Sequence, residues 1–433
     1  MTGSRHPQEA KIPPGPDRKL FVHVDWQGAP RLAGVLPAHV EGEREWAEFE
    51  PDARWLARPE AAACAPLLGI FPGKQSTGAS MPLFGAIGDS APDRWGRTLL
   101  RRRERREARE LGRTPRELRE VDFLLGVDDE IRVGALRFRE KPRGPFLGDK
   151  GAMRLPGVRS LPRLLGAVRA HEEARETRAQ SELLLVSGQL LGGSRPKASL
   201  RADDGRLLVA KFPSRGDAHD MQRWEALTLG LARDCGIAVP DFAIARVDGE
   251  SVLLLDRFDR DAAGRRIPVI SAFGLLAAQD NEAGSHLALA RAIRKIGGRP
   301  HEDTVALWRR ALFAVLVSDK DNHLRNHGLL WHATGWRLCP AYDLNPEAEP
   351  RKPRELLLSI DGIDNSASFR IAMDAAADFG VSRDEARDEA RRMGRVVATW
   401  RDRAKKLRLP KREIDTLRGA FEHDALEAVL RLR

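Results

Sequence analysis

The sequence predicts an α+β protein with a β-rich N-terminal unit, a strand-rich middle and a C-terminal part that turns increasingly helical. Three observations carry this. Leu20, Val22 and Val24 alternate as on a half-buried strand, and Leu32 to Leu36 follows a Gln27-Gly28 turn. Short apolar runs at Leu183–Val186 and Leu207–Ala210 flank a glycine pair, Gly192-Gly193. Glu302 to Val317 then places Trp308, Leu312, Val315 and Leu316 on one helical stripe. At about 150 residues per domain, 433 residues make two or three domains and a sizeable core.

Composition excludes several classes. Hydrophobic residues are 42% of the chain, yet no apolar run approaches the roughly 20 residues that cross a bilayer, so no membrane role is expected. Met1 to Pro16 is polar, without the apolar stretch of a secretory signal, and a cytoplasmic protein is expected. Cys64, Cys235 and Cys339 are far apart with no C-x-x-C pair, which fits buried or loop thiols in a reducing compartment. The net charge of +10 favours an acidic partner, and nucleic acid, acidic protein and polyphosphate all qualify.

Taken in order, residues 1–18 read as a flexible N-terminus and 19–145 as the first unit. Asp93 is placed to cap a long charged helix carrying Arg101, Arg102, Arg103, Arg105 and Arg106 among Glu104, Glu107 and Glu110. That face is either solvated and laced with helical ion pairs or a basic surface for nucleic acid. Phe123–Val127 and Gly134–Phe138, around Asp128-Asp129, predict a hairpin. Lys141 to Gly157, rich in Pro and Gly, reads as a boundary. The second unit, 146–255, opens with a helix from Ser160-Leu-Pro162 to about Ala174, and new strands start at Leu183. The third, 256–433, holds helices at 285–296 and 302–317 and a capping box, Ser382 to Glu385, before the buried stripe of Ala386, Ala390, Met393, Val397 and Trp400. No repeat of 20 to 50 residues is visible.

Chemistry concentrates in two places. Gly192-Gly193-Ser194-Arg195-Pro-Lys197 lies between predicted strands, where glycines let backbone N–H groups close on an anion and Arg195 and Lys197 add positive charge; a plain hairpin turn is the other reading. It is neither a Walker loop nor a dinucleotide fingerprint. Lys211 ends the next strand, either snorkelling at an edge or reaching back to phosphates. Glu225 follows on a helix, giving the strand-lysine and helix-glutamate order of protein kinases. The second place is Asp319-Lys-Asp321-Asn-His323-Leu-Arg-Asn326-His327, directly after the apolar helix. Asp321 and Asn326 have the five-residue spacing of a kinase base and its metal-binding Asn. Asp343 follows the hairpin 329–338, where that layout puts a second metal carboxylate. His323 and His327 superficially suggest zinc, but the Glu of H-E-x-x-H is missing, and His323 is expected to hold the loop by hydrogen bonds.

With these motifs, and with Val209-Ala-Lys211-Phe-Pro-Ser, Asp256-Arg-Phe-Asp-Arg260 and Pro340-Ala-Tyr-Asp343, the sequence resembles the HipA-like toxin kinases of bacterial toxin-antitoxin modules. Phe84 to Arg97 and Gly134 to Phe138 are similar to that family's first domain, so the resemblance spans nearly the whole chain. It implies a two-lobed kinase-like fold with an extra N-terminal subdomain, ATP and Mg2+ as cofactors, Asp321 as base and Asn326 and Asp343 as metal ligands. Gly192, Gly193, Ser194, Arg195 and Lys197 would form the phosphate loop, with Lys211 and Glu225 beside it. It further implies a HipB-like helix-turn-helix antitoxin, DNA reached only through that partner, and an aminoacyl-tRNA synthetase as protein substrate.

The sequence departs from the family at two places. Relatives carry a self-phosphorylated serine two residues before the glycine pair, and here that residue is Leu190; Ser187 and Ser194 are the nearest hydroxyls. Asp319-Lys320 precedes the base where relatives have Asn-Thr. The rival reading is a nucleotide-binding pseudokinase that works as a co-repressor with a DNA-binding antitoxin.

Overall fold

The computed structural model describes residues 18–78, 81–148, 155–188, 193–279, 284–348 and 354–432. Most of the expected flexible N-terminus, together with Leu190 and Gly192, lies outside these residues. The fold is α+β, as expected. Strands β1 (Arg18–Trp26), β2 (Ala29–Glu41) and β3 (Arg44–Pro51) form an antiparallel meander, completed by β4 (Gln75–Ser76) and β5 (Leu136–Arg139) in the order β4-β3-β2-β1-β5. Gln27 and Gly28 turn the first hairpin with φ of 54° and 85°, a left-handed pair that matches the strand twist. Leu20, Val22 and Val24 all face the core. Five helices follow or interrupt this sheet: α1 (Ala53–Leu56), α2 (Pro59–Ala63), α3 (Gly85–Gly88), α4 (Arg94–Glu110) and α5 (Glu120–Gly126).

Helix α5 replaces the first arm of the hairpin expected at Phe123–Val127. The Arg119 backbone N–H donates to the Asp122 carboxylate (3.0 Å) across the first turn, and Val121 and Leu124, one helical turn apart, are buried. So short an apolar run suits either period, and the cap decides it.

In the middle unit, α6 (Leu161–Glu172) and α7 (Arg178–Ser187) precede β6 (Lys197–Arg201), β7 (Leu207–Lys211), α8 (Met221–Asp234), β8 (Phe242–Val247) and β9 (Glu250–Asp256). The strand expected from Leu183 is the end of α7. Thr177 and Gln180 close a capping box there (2.9 and 3.3 Å), again upstream of an apolar run without a period of its own. The antiparallel sheet β6-β7-β9-β8 pairs Lys197 with Lys211, which puts both ammonium groups at one end of the sheet.

The C-terminal unit contains β10 (Val269–Ser271), α9 (Ala272–Leu275), β11 (Gly284–Ser285), α10 (His286–Ile296), α11 (Pro300–Val317), β12 (Gly328–His332), β13 (Gly335–Leu338) and β14 (Leu358–Ser359). Helices α12 (Phe369–Asp374), α13 (Arg383–Val397), α14 (Trp400–Lys406), α15 (Lys411–Leu417) and α16 (Asp424–Leu430) close it. Helix α11 is its axis: every residue from Ala311 to Val317 is buried, and Trp308 donates to the Ala372 carbonyl (2.7 Å). Ser382 caps α13 as expected.

Two large cores and a small cluster of Val127, Ile131, Leu155 and Leu207 hold the units together. The first runs from the N-terminal sheet through α8 to the C-terminal helices. The second packs Trp95, Leu99 and Leu100 of α4 and Phe123 of α5 against α6, α7, β6 and β7. The N-terminal unit therefore touches both lobes: Trp336 donates to the Ala63 carbonyl (2.9 Å) on one side, and Trp95 donates to the Lys197 carbonyl (3.0 Å) on the other.

Candidate active site

Helix α11 ends at Ser318, whose left-handed backbone (φ 53°) turns the chain into the loop that carries Asp321. Buried Asp319 pins this loop. It accepts from the Asn345 backbone N–H (3.2 Å) and from Asn322 Nδ2 (3.0 Å), and Asn322 Oδ1 meets His327 Nε2 at 2.5 Å. Asp321 itself is exposed, and its carboxylate makes no hydrogen bond or ion pair among the described residues. Partial burial raises its pKa, against the pull of the His323 and Arg94 charges and together with repulsion from Asp343. A carboxylate poised in this way suits a general base.

Asp343 follows the β12–β13 hairpin in a left-handed conformation (φ 59°), a strained placement for a residue with a side chain. Its Oδ1 accepts from Lys211 Nζ (2.7 Å) and Asn345 Nδ2 (3.3 Å), and Lys211 also donates to Glu225 Oε1 on α8 (2.6 Å). Burial opposes all three charges. For Asp343 the neighbouring Lys211 wins and holds the carboxyl well below the usual range; Lys211, between two carboxylates, is raised. Glu225 stays raised, because burial outweighs its share of Lys211.

Asn326 donates through Nδ2 to the Asp321 carbonyl (3.3 Å), while its Oδ1 is buried with no partner among the described residues. A buried amide oxygen without a partner suits a hard cation that keeps its remaining oxygens from phosphate and water. No group of three or more His, Cys, Asp or Glu that could hold a metal ion occurs among the described residues. Asn326 Oδ1 and the Asp343 carboxylate are oxygen donors of the kind that would hold magnesium brought with a polyphosphate.

Lys197 is buried at the same place. Its Nζ donates to Asp93 Oδ2 (2.5 Å) and to the Gly193 carbonyl (3.2 Å). Gly193, with φ 77°, lies between Lys197 and Asp343: a Cβ there would sit 3.4 Å from Lys197 Nζ and 3.9 Å from Asp343 Oδ2. Beside these charges a cleft of about 820 Å³, including its open mouth, passes between the lobes, with Val209, Leu255, Phe258 and Tyr342 along its apolar walls. Phe258 and Tyr342 stack at 5.6 Å between centroids. Such a slot fits a flat aromatic base next to a charged end.

The sequence-predicted set is thus largely gathered, with exceptions. Arg195 turns to Asp217, Ser194 is exposed, and neither lines the cleft. His323 does not hold the loop through Nδ1, which has no hydrogen-bond partner among the described residues; His327 does so instead. Sequence reasoning missed Asn322 and Asn345, and it placed Asp93 only as a helix cap. The Asp256-Arg-Phe-Asp-Arg260 motif is a junction. Buried Asp259 accepts from Arg257 (2.6 Å), Arg260 (2.6 Å) and the Gly134 backbone N–H (2.9 Å) of the N-terminal unit.

Residues 190–400 match the HipA-like C-terminal domain. No curated protein matches the sequence. Among solved structures, HipA of Shewanella oneidensis MR-1, determined with HipB and its operator DNA, is similar with a TM-score of 0.65 at 16% identity, over 95% of this chain and 96% of that one. The kinase CtkA of Helicobacter pylori aligns with a TM-score of 0.36 at 13% identity, over 56% of this chain and 94% of that one. No helix among the described residues is long and apolar enough to cross a membrane. Residues 190–400 thus carry a HipA-like C-terminal domain, and the fold is similar to that of HipA along nearly the whole length.

Proposed function

We propose that this chain is an ATP- and magnesium-dependent protein serine/threonine kinase and the toxin of a module with a HipB-like antitoxin. The observation that supports it most is the bridge that Lys211 makes between Glu225 and Asp343 at the cleft, with the Asp321 carboxylate close enough to feel the Asp343 charge and Asn326 Oδ1 without a partner among the described residues. In the reaction, a substrate Ser or Thr hydroxyl gives its proton to Asp321 as its oxygen bonds to the γ-phosphorus. The bond to the β,γ-bridging oxygen breaks and ADP leaves. Lys211 would hold phosphate oxygens while Glu225 keeps its ammonium in place. Magnesium, held by Asn326 and Asp343 with phosphate oxygens, would neutralise charge on the transferred group. The partner is inferred from the Shewanella HipA complex, in which HipB and DNA are both present. The resemblance makes aminoacyl-tRNA synthetases the first acceptors to test.

Transfer of the labelled γ-phosphate of ATP to proteins of a cytosolic extract tests this reading. Wild type should label a protein acceptor. Asp321→Asn should lose at least about a hundredfold in rate, with Mg-ATP affinity nearly unchanged, because the base contacts the hydroxyl and not the nucleotide. Tight Mg-ATP binding without transfer by wild type would favour the pseudokinase.

A further inference from the structure

The N-terminal unit reaches the nucleotide cleft at Val133, which lines it, and at Asp93, which pairs with the cleft residue Lys197. Asp93 uses its two oxygens differently: Oδ1 accepts from the Gly96 backbone N–H (2.9 Å) and caps α4, and Oδ2 accepts from Lys197 Nζ (2.5 Å). Both side chains are about 5% exposed or less. Trp95, two residues on, donates to the Lys197 carbonyl (3.0 Å), so α4 grips this lysine by backbone and side chain together.

We propose that Asp93 is a positioning residue of the nucleotide site: it holds the Lys197 ammonium against the Gly193 carbonyl, beside Asp343, where ATP phosphates arrive. This rests on the kinase reading above. Charges alternate across the cleft, from Asp93 to Lys197, past Gly193 to Asp343, then to Lys211 and Glu225. Each lysine thus has a carboxylate from an element outside its own sheet to fix it. Lys211 takes Glu225 from α8, and Lys197 takes Asp93 from α4. Without a fixed anchor a long ammonium side chain spreads over rotamers and loses directed contact with phosphate.

The two duties of Asp93 can be separated. Asparagine caps a helix as well as aspartate does, so Asp93→Asn keeps the Gly96 bond, but it turns an amide N–H2 or a neutral oxygen toward the ammonium. Asp93→Ser, another capping residue, gives a second reading should the first variant fail to fold. The measurement is calorimetric affinity for Mg-ATP and, separately, for adenosine. The variants should bind Mg-ATP about ten- to a hundredfold more weakly, the scale of one charge-assisted contact, and bind adenosine within about twofold of wild type. A merely structural role would lower both affinities together. Parallel losses, or Mg-ATP binding equal to or tighter than wild type, would overturn the proposal alone. A wild-type chain without affinity for Mg-ATP would overturn the kinase reading and this proposal with it.

Discussion

Asp343 has two claims on it: Lys211 pairs with it in the structure, and a magnesium ion would use the same carboxylate. Asp343→Asn leaves Lys211 with Glu225 and keeps the shape of the loop, so its effect should read out on the metal. Mg-ATP affinity should fall at least about tenfold, while ATP affinity in a metal chelator changes little. Equal affinity in magnesium would remove Asp343 from the ligand set. The two acids should also separate by pH. Asp343 is held low and stays ionised through the neutral range, whereas Asp321 is raised. On acidification the rate of transfer should therefore fall first, as Asp321 takes up its proton, with Mg-ATP affinity still intact.

In helix α4 the contacts of several arginines favour the structural reading over the nucleic-acid one. Arg102 donates to the His171 carbonyl (2.5 Å) and to Glu176 (3.0 Å), and Arg97 and Arg101 lie over the Phe123 ring at 4.6 and 5.0 Å. Buried Glu104 accepts from Arg113 (2.5 Å) and from the Arg116 backbone N–H (2.8 Å), and these hydrogen bonds and arginine charges, the Arg113 bond foremost, outweigh burial and hold its pKa down at about 2. Much of the face is therefore turned inward onto the fold. Arg102→Glu should cost about 2–3 kcal/mol in urea unfolding, because it sets a second carboxylate against half-buried Glu176, whereas exposed Arg105→Glu should stay within about 0.5 kcal/mol. A neutral Arg102→Glu, with DNA affinity lost instead, would restore the nucleic-acid reading. The elements that were legible share a property with the catalytic loop: their signal is local. Asp321 and Asn326, the 329–338 hairpin and the Ser382 cap each lie within about a dozen residues. The strand expected at Leu183 and the hairpin arm at Phe123 failed because a short apolar run has no period of its own, and the caps that decide them, Thr177 with Gln180 and Arg119 with Asp122, sit upstream. The pairing of Asp93 with Lys197 spans 104 positions, and no pattern in the sequence marks it.

At the scale of the molecule, the N-terminal unit works as a brace. Its sheet shares the first core with the C-terminal helices, its helices α4 and α5 share the second with the middle unit, and the junction is pinned at Asp259. Arg257 and Arg260 both direct guanidinium groups at this one buried carboxylate, and Arg257 donates also to the Ile131 carbonyl (2.8 Å) and Arg260 to the Arg132 carbonyl (3.0 Å). Burial works against the Asp259 charge, but the two arginines and the Gly134 N–H more than offset it and hold its pKa well below the usual range. A depressed pKa means stability that is present above the ordinary carboxylate range and lost only in strong acid. Asp259→Asn removes the charge and leaves two guanidinium groups buried without their anion, so it should cost about 3–5 kcal/mol at neutral pH. Because both cores run through the N-terminal unit, that loss should move a single calorimetric transition as a whole. Two peaks, with only one displaced by the substitution, would mean that the N-terminal unit unfolds by itself and that it does not brace the lobes.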